Sequence, residues 1–280
     1  MDTLETIKKE KLASLEAIFV DLDDTLLTKD KKLSPRVVKA LHELPIPFFF
    51  DTGRNDAGIE NAVHSLFPNN LRLSLNGNVL VRNHCLVKIS GFLPKREAIE
   101  AVTLLEENFT PEELACIPYD PLHWYCKNLI SPFPESEHKA SGTEPLLYGT
   151  PSELNKLAII KILLSGTPEA CKKALKILEP YQDKMDIVQN HIDQVELNPL
   201  GISKGTGIKE VCRIYSFDPN NCLAMGDSAL DLSMFKEAGL KAAVANGEEQ
   251  VKKQADLLVP SAEEEGPAKL FELIKKAKEK

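Results

Sequence analysis

Residues 17–29 read A-I-F-V-D-L-D-D-T-L-L-T-K, and this stretch decides the fold. Its first four residues are apolar or β-favouring, which predicts a short buried strand. Asp21 and Asp23 follow at once, and in an extended chain their side chains leave on the same side. Two such carboxylates repel each other, so a cation or a shared proton must offset the cost. An Asp-rich turn at the end of a strand is the alternative for this stretch alone.

Bulk properties set limits on the class of protein. With 280 residues the chain is long enough for two domains, and 43% hydrophobic and 27% charged residues are ordinary for a globular protein. The net charge of -8 argues against nucleic acid as a partner. Residues 1–16 contain no long apolar run, so neither a secretory signal nor a membrane span is expected. The six cysteines form no C-x-x-C pair and the six histidines show no zinc spacing, so we predict a cytoplasmic protein without zinc.

A second strand, Phe48–Phe50, runs directly into Asp51, Thr52, Gly53 and Arg54. A threonine hydroxyl followed by a glycine N–H is well suited to holding a phosphate oxygen. An ordinary strand-to-helix turn would have the same composition. Between the two strands, Ser34 and Pro35 predict a helix start, with serine as N-cap and proline at the first position.

The same pattern returns late in the chain. Ser203 and Lys204 lead into a helix, and an apolar strand at residues 222–225 ends at Asp227, with Asp231 four residues on. Strands that alternate with helices indicate a parallel sheet, and ligands bind at the carboxyl ends of its strands. Carboxylates from several strands plus one lysine suit Mg²⁺ carrying a phosphate, although Lys204 would also fit a solvated helix start.

Between these parts the sequence changes character. Residues 92–196 mix helices, short aromatic strands and turns, including an apolar strand predicted at residues 157–164 and a helix at 168–178 capped by Thr167. We therefore predict an α/β protein with a Rossmann-like parallel-sheet core formed by residues 1–91 and 197–280. An α+β domain of residues 92–196 is inserted into it.

Four motifs occur in one order along the chain: D-L-D-D-T-L-L at Asp21, T-G-R at Thr52, S-K-G at Lys204 and G-D-x-x-x-D-x-x-M-F at Asp227. In these motifs and their order the sequence resembles the haloacid dehalogenase superfamily, specifically its Cof-like sugar-phosphatase branch. The resemblance implies that the inserted domain is a cap that covers the site, excludes water and chooses the substrate.

The resemblance also implies a role for each matching residue. Asp21 would be the nucleophile, and Asp23 the general acid and base. The implied ligands of Mg²⁺ are Asp21, the main-chain carbonyl of Asp23, Asp227 and, in support, Asp231. Thr52, Gly53 and Lys204 would hold the phosphoryl oxygens, and Asn76 and Arg54 would contact substrate or shape the cap hinge.

The function implied is Mg²⁺-dependent hydrolysis of a small phosphorylated metabolite, a sugar phosphate in the first place, through an aspartyl-phosphate. The partner would be that metabolite alone, with no nucleic acid and no membrane, and the protein would be a monomer or homodimer. A phosphomutase similar to phosphomannomutase is one alternative. A non-catalytic protein that binds a phosphorylated ligand is another.

Three positions depart from the family's pattern. Asp24 stands where many relatives have glycine, and Asp51 stands where a small residue is usual, which adds negative charge near the site. Leu230 replaces an Asn or Asp that usually forms a hydrogen bond near the phosphate or metal, and leucine cannot. We expect weakened metal or phosphate affinity, with the chemistry retained because Asp21 and Asp23 remain.

Leu230→Asn tests this expectation. Restoring a hydrogen-bonding side chain should raise the apparent affinity for Mg²⁺ or for substrate. Initial rates across Mg²⁺ and substrate concentrations, compared with the wild type, measure it. An unchanged affinity for both would contradict the prediction.

Overall fold

The computed structural model describes residues 1–63 and 65–279, and the chain forms two compact units. The first unit consists of Met1–Gly53, Ala62–Lys88 and Ser203–Lys280. The second consists of Arg54–Asn61 and Ile89–Ile202. That the second unit acts as a cap remains a prediction. Among the described residues, no helix is long and apolar enough to cross a membrane.

The strands and helices are as follows within the described residues. The strands are β1 (Asp2–Thr3), β2 (Ala17–Val20), β3 (Phe48–Phe50), β4 (Arg72–Ser74), β5 (Val79–Arg82), β6 (Cys85–Ile89), β7 (Leu114–Tyr119), β8 (Tyr125–Cys126), β9 (Leu146–Leu147), β10 (Lys161–Gly166), β11 (Met185–His191), β12 (Gln194–Pro199), β13 (Cys222–Gly226), β14 (Leu240–Val244) and β15 (Leu257–Val259). The α-helices are α1 (Lys9–Ala13), α2 (Pro35–His42), α3 (Asp56–Val63), α4 (Lys95–Asn108), α5 (Pro134–Ser141), α6 (Pro168–Leu178), α7 (Lys204–Tyr215), α8 (Leu232–Glu237), α9 (Glu249–Lys252) and α10 (Gly266–Lys278).

The first unit is built on a six-stranded parallel sheet in the order β1-β15-β14-β13-β2-β3. All four residues of β2 are buried, as expected for a central strand covered on both faces. Ile18 is in register with Leu223 of β13 on one side and Phe48 of β3 on the other. The prediction of an α/β fold with a parallel-sheet core is confirmed. A separate three-stranded sheet, β4-β5-β6, belongs mainly to this unit.

The first crossover helix begins where the sequence predicts it. Ser34 lies at the N-cap of α2, its hydroxyl oxygen accepts the N–H of Val37 at 3.2 Å, and Pro35 occupies the first helical position. The cap satisfies one of the four N–H groups that a helix start leaves without a partner. Stacked Phe19 and Phe49 rings, with centroids 5.1 Å apart, join β2 to β3.

The second unit contains a four-stranded antiparallel sheet in the order β11-β12-β10-β7. Its hydrophobic core includes residues of this sheet and of α4 and α6. Thr167 caps α6 as predicted, accepting the N–H of Ala170 at 3.2 Å. Trp124 is 1% exposed, and its indole N–H donates to Thr143, so its contacts lie inside this unit.

One predicted strand is displaced. The sequence predicts a strand at residues 157–164, whereas the structure has a 3-10 helix at Pro151–Lys156 and a strand at Lys161–Gly166. The apolar run does not indicate where the strand begins, because Leu157, Ile159 and Ile160 precede the strand and are nonetheless buried or half-buried. Ser165 and Gly166, which lack apolar side chains, complete the strand by pairing with β7.

Close glycine packing fixes the position of α7 in the first unit. Gly77 has φ +74°, and a Cβ atom there would lie 2.9 Å from the carbonyl oxygen of Ser203. A Cβ atom on Gly207 would lie 2.9 Å from Cα of Gly77 and 2.7 Å from a methyl group of Leu73. Only glycine therefore allows α7 to approach the turn after β4.

We predict that Gly207→Ala destabilises the protein by about 1–3 kcal/mol, the usual cost of overpacking. In an unconstrained helix the same change would stabilise by about 0.5–1 kcal/mol, so the sign reports the contact. Urea unfolding measures the free energy. Lys209→Ala, an exposed position on the same helix, is the matched control and should change stability by less than about 0.5 kcal/mol. A more stable Gly207→Ala protein would refute the argument.

Candidate active site

The site lies at the carboxyl ends of neighbouring parallel strands in the first unit. Asp21 directly follows β2, and Asp227 directly follows β13, its neighbour in the sheet. The N–H of Asp21 donates to the carbonyl oxygen of Met225 at 3.0 Å, which continues the ladder to this point. Parallel pairing thus brings together two carboxylates that are far apart in sequence.

Lys204 supplies the positive charge at this edge. Its ammonium lies 2.9 Å from Oδ1 of Asp21 and 2.6 Å from Oδ1 of Asp231, and the side chain is 2% exposed. Burial alone would lower the pKa of Lys204, but the two carboxylates raise it above its ordinary value. The ammonium therefore stays charged in the interior. Ser203 caps the helix that presents it, accepting the N–H of Thr206.

Asp231 organises the loop after β13. Its Oδ2 atom accepts the N–H groups of Asp227 and Ser228, both at 2.9 Å, and the Ser228 hydroxyl at 3.2 Å. A Cβ atom on Gly226 would lie 2.4 Å from the Asp231 side chain, so glycine is needed where the strand ends. Because donors already engage both oxygens of Asp231, its geometry suits positioning of the loop and of Lys204.

The donor set fits a hard divalent cation. Carboxylate oxygens of Asp21, Asp227 and Asp231 lie within 4.8 Å of one another. Burial raises the pKa of Asp21 to about 7 against the attraction of Lys204, and burial with the charges of Asp21 and Asp231 raises the pKa of Asp227 to about 8. Burial is the largest cause of both shifts, and the neighbouring carboxylates add to it, so a bound cation would favour the ionised forms of Asp21 and Asp227. Oxygen ligands in such a cluster are the kind that Mg²⁺ prefers.

Asp23 occupies a more open position than Asp21. Its side chain is 34% exposed, against 8% for Asp21, and its Oδ1 atom lies 3.1 Å from the ammonium of Lys31. Asp24 has φ 55°, in the left-handed region that glycine adopts most easily. Asp24 thus adopts a backbone conformation that glycine would take at lower cost.

Thr52 lies at the carboxyl end of the neighbouring strand, β3. It is buried, and its N–H donates to the carbonyl oxygen of Leu73 at 3.0 Å. Its own carbonyl accepts the N–H of Asn76 at 2.9 Å, so Asn76 supports the loop that also contains Gly53. Arg54, by contrast, belongs to the second unit, where its guanidinium donates to the carbonyls of Gly58 and Ala140.

The sequence predicts that Asp51 adds negative charge near the site, and the surroundings of its carboxyl oppose ionisation. It is fully buried, and neither carboxylate oxygen has a hydrogen-bond partner among the described residues. Burial raises its pKa well above the ordinary value, although Lys204 opposes the shift. The neutral carboxyl is therefore favoured, and Asp51 adds less charge to the site than its sequence position suggested.

Two contacts of the site were not predicted from the sequence. The hydroxyl of Thr25 donates to Oδ1 of Asp227 at 2.7 Å and orients that carboxylate. Thr25 belongs to the first motif, but the sequence does not indicate that its hydroxyl would bind Asp227. Lys31, which pairs with Asp23, lies in a Lys-rich turn whose sequence does not indicate a functional residue.

Leu230 lies in a 3-10 turn and is half-buried.

Comparison with known proteins assigns the family. The sequence model of the haloacid dehalogenase-like hydrolase family matches residues 18–271 of this chain. The chain belongs to this family. The predicted membership is thus confirmed, and the chain is a hydrolase.

Individual proteins agree with this assignment. A Streptococcus pyogenes protein that bears the provisional name of a phosphatase is 27% identical over 267 residues, covering 91% of this chain and 96% of its own. A haloacid dehalogenase-like hydrolase of Bacteroides thetaiotaomicron has the same fold, with a TM-score of 0.80, 24% identity and coverage of 92% and 98%. A structure described as a subclass IIB sugar phosphatase superposes with a TM-score of 0.75 at 20% identity, covering 92% of this chain and 98% of its own. At these identities the two structural similarities establish the fold alone.

We predict that Asp51→Asn makes the metal-free protein relatively more stable as pH rises. A carboxyl whose pKa is raised by folding stabilises the native state below the unfolded value near 3.8, and that contribution is lost as pH rises through the folded value. The variant lacks this loss, so the difference in unfolding free energy should grow in its favour by up to about 1.4 kcal/mol per pH unit.

Urea unfolding of the chelator-treated proteins at a series of pH values above the unfolded pKa gives this slope. Burying the amide introduced by Asp51→Asn would alter the unfolding free energy equally at every pH. The prediction is therefore tested by how the difference in unfolding free energy changes with pH, and not by its absolute value. Asp30→Asn, at an exposed position, is the control. A slope no greater than that of the control would contradict the neutral state of Asp51.

Proposed function

We propose that the protein is a Mg²⁺-dependent phosphatase that hydrolyses small phosphorylated metabolites, sugar phosphates first among them, through an aspartyl-phosphate on Asp21. One observation carries the proposal: the ammonium of Lys204 is buried against Asp21 and Asp231, beside Asp227. A carboxylate nucleophile, a fixed cation and a cluster of oxygen ligands are the parts that phosphoryl transfer needs. The family supports hydrolysis, and the Streptococcus pyogenes relative named as a phosphatase supports a phosphate ester as substrate.

Asp21 begins the reaction. A carboxylate oxygen of Asp21 attacks phosphorus, the bond from phosphorus to the ester oxygen breaks, and Asp23 donates a proton to that leaving oxygen. Lys204 contacts Asp21 directly and offsets negative charge as the phosphoryl group arrives. The products of this half-reaction are the free alcohol and a phosphorylated Asp21.

Asp23 also serves the second half-reaction. As a carboxylate it takes a proton from a water molecule, whose oxygen attacks phosphorus and releases inorganic phosphate from Asp21. Its greater exposure suits this role, because both the alcohol and the water must reach it. Asp21 returns to its starting state, and Asp23 again carries the proton.

The remaining residues hold the phosphoryl group and the cation. Thr52 and the N–H of Gly53 would bind phosphoryl oxygens. Asp21, Asp227 and the main-chain carbonyl of Asp23 would bind Mg²⁺, with Asp231 keeping Asp227 and Lys204 in place. When bound, Mg²⁺ would neutralise charge on the phosphoryl oxygens.

We predict that Asp21→Asn lowers phosphate release by about a thousandfold or more, because an amide of the same shape cannot act as the nucleophile. Release is measured on an aryl phosphate and a sugar-phosphate panel, with Mg²⁺ and with a chelator. Chelation should abolish wild-type activity. Asp30→Asn is the matched control and should retain activity, since Asp30 is exposed.

Two outcomes would count against the proposal. If turnover survives Asp21→Asn, the nucleophile is another residue. If the wild type with Mg²⁺ is silent on every ester, the chain is not a phosphatase of this substrate class.

A further inference from the structure

Lys31 stands beside the proposed general acid in the first unit. Its ammonium lies 3.1 Å from Oδ1 of Asp23 and 3.3 Å from Oδ1 of Asp24, and the side chain is 47% exposed. Within residues 1–63 and 65–279 these two carboxylates are its ion-pair partners. An ammonium has three N–H donors, so one remains for another oxygen.

An ordered turn presents this ammonium. The N–H of Lys31 donates to the carbonyl of Thr28 at 2.7 Å, and the N–H of Thr28 donates to the carbonyl of Lys32 at 2.9 Å. The N–H of Lys29 donates to the carboxylate of Glu263 at 2.6 Å, which ties the turn to the loop before α10. Lys31 is therefore held at one place by its backbone, although its side chain reaches solvent.

Asp24 holds Lys31 toward the site. Its backbone is in the left-handed region at φ 55°, and its carbonyl accepts the side-chain N–H of Asn246 at 2.6 Å. Its carboxylate binds the same ammonium that contacts Asp23. A glycine at this position could adopt the backbone conformation but would leave Lys31 with one anchor fewer.

The exposure of these groups separates an inner from an outer part of the site. Asp21 and Lys204 are 8% and 2% exposed, whereas Asp23 and Lys31 are 34% and 47% exposed. If Asp21 receives the phosphoryl group, the leaving oxygen must approach Asp23 to within about 3 Å to take its proton. If Oδ1 of Asp23 gives the proton, the leaving oxygen then lies within about 6 Å of the ammonium of Lys31, and the carbon attached to it lies within about 7.5 Å.

We propose that Lys31 is a specificity-determining residue that selects phosphomonoesters whose leaving group carries an anion, a carboxylate or a second phosphate, one or two carbons from the ester oxygen. This inference rests on the proposed function. The carboxylates of the site would repel such a leaving group. The ammonium of Lys31 lies beside Asp23, where it would offset this repulsion. Neutral leaving groups gain nothing from it.

Three probes with the same two-carbon frame test the proposal: 2-phosphoglycolate, ethylene glycol bisphosphate and 2-hydroxyethyl phosphate. They end in a carboxylate, a phosphate and a hydroxyl. The measurement is kcat and KM with Mg²⁺ for the wild type, Lys31→Met, Lys31→Arg and Lys32→Met. Lys32 is the next residue and is exposed, so it is the matched control.

The wild type should favour one or both anionic probes over the hydroxyl probe. Lys31→Met should lower kcat/KM for the favoured probe by about tenfold, mainly through KM, as expected for loss of a charge-assisted hydrogen bond. For the hydroxyl probe the change should stay within about threefold. Lys31→Arg should keep the preference, and Lys32→Met should behave as wild type. The preferred anion names the class of leaving group.

Other outcomes overturn the inference and separate it from the proposed function. Equal wild-type activity on all three probes, or an equal loss on all three in Lys31→Met, would mean that Lys31 does not select the leaving group, while the phosphatase activity stands. A wild type with Mg²⁺ that hydrolyses none of the probes or the sugar phosphates would overturn both.

Discussion

One buried ion cluster, in which the ammonium of Lys204 lies between Asp21 and Asp231, sets a constraint that the rest of the first unit must meet. Bringing these charges out of water is costly, and removing one partner would leave the other charges uncompensated in the interior. The cluster is stable only if its geometry is held accurately. The sheet, the start of α7 and the loop after β13 each hold one member of it.

Each of these supports is a backbone device. Parallel pairing of β2 with β13 sets Asp21 beside the last strand, and the glycine contact of Gly77 with Gly207 lets α7 bring Lys204 close. Asp231 is fixed by main-chain N–H groups of the loop that it closes. The side chains that we propose act on a phosphoryl group are thereby positioned by packed backbone elements.

Burial divides the chemistry of the site. The charged groups at Asp21 are sealed from solvent, where electrostatic interactions are strong, and Asp23 and Lys31 face outward, where an alcohol and water can reach them. Buried Asp51 adds a carboxyl that is favoured in its neutral form beside this centre. The inner part therefore suits the invariable phosphoryl group, and the outer part suits the variable leaving group.

The sequence by itself determined the parallel-sheet class, the capped start of α2, the carboxyl-end placement of Asp21, Thr52 and Asp227, and the family. Short apolar runs followed by polar residues carry that information locally. Only the tertiary structure decided that Asp231 bonds Lys204 and its own loop, and that Lys31 reaches Asp23. It also decided that Asp51 is buried with no hydrogen-bond partner among the described residues. Which charged groups share one buried volume depends on contacts between distant parts of the chain, and no local pattern encodes them.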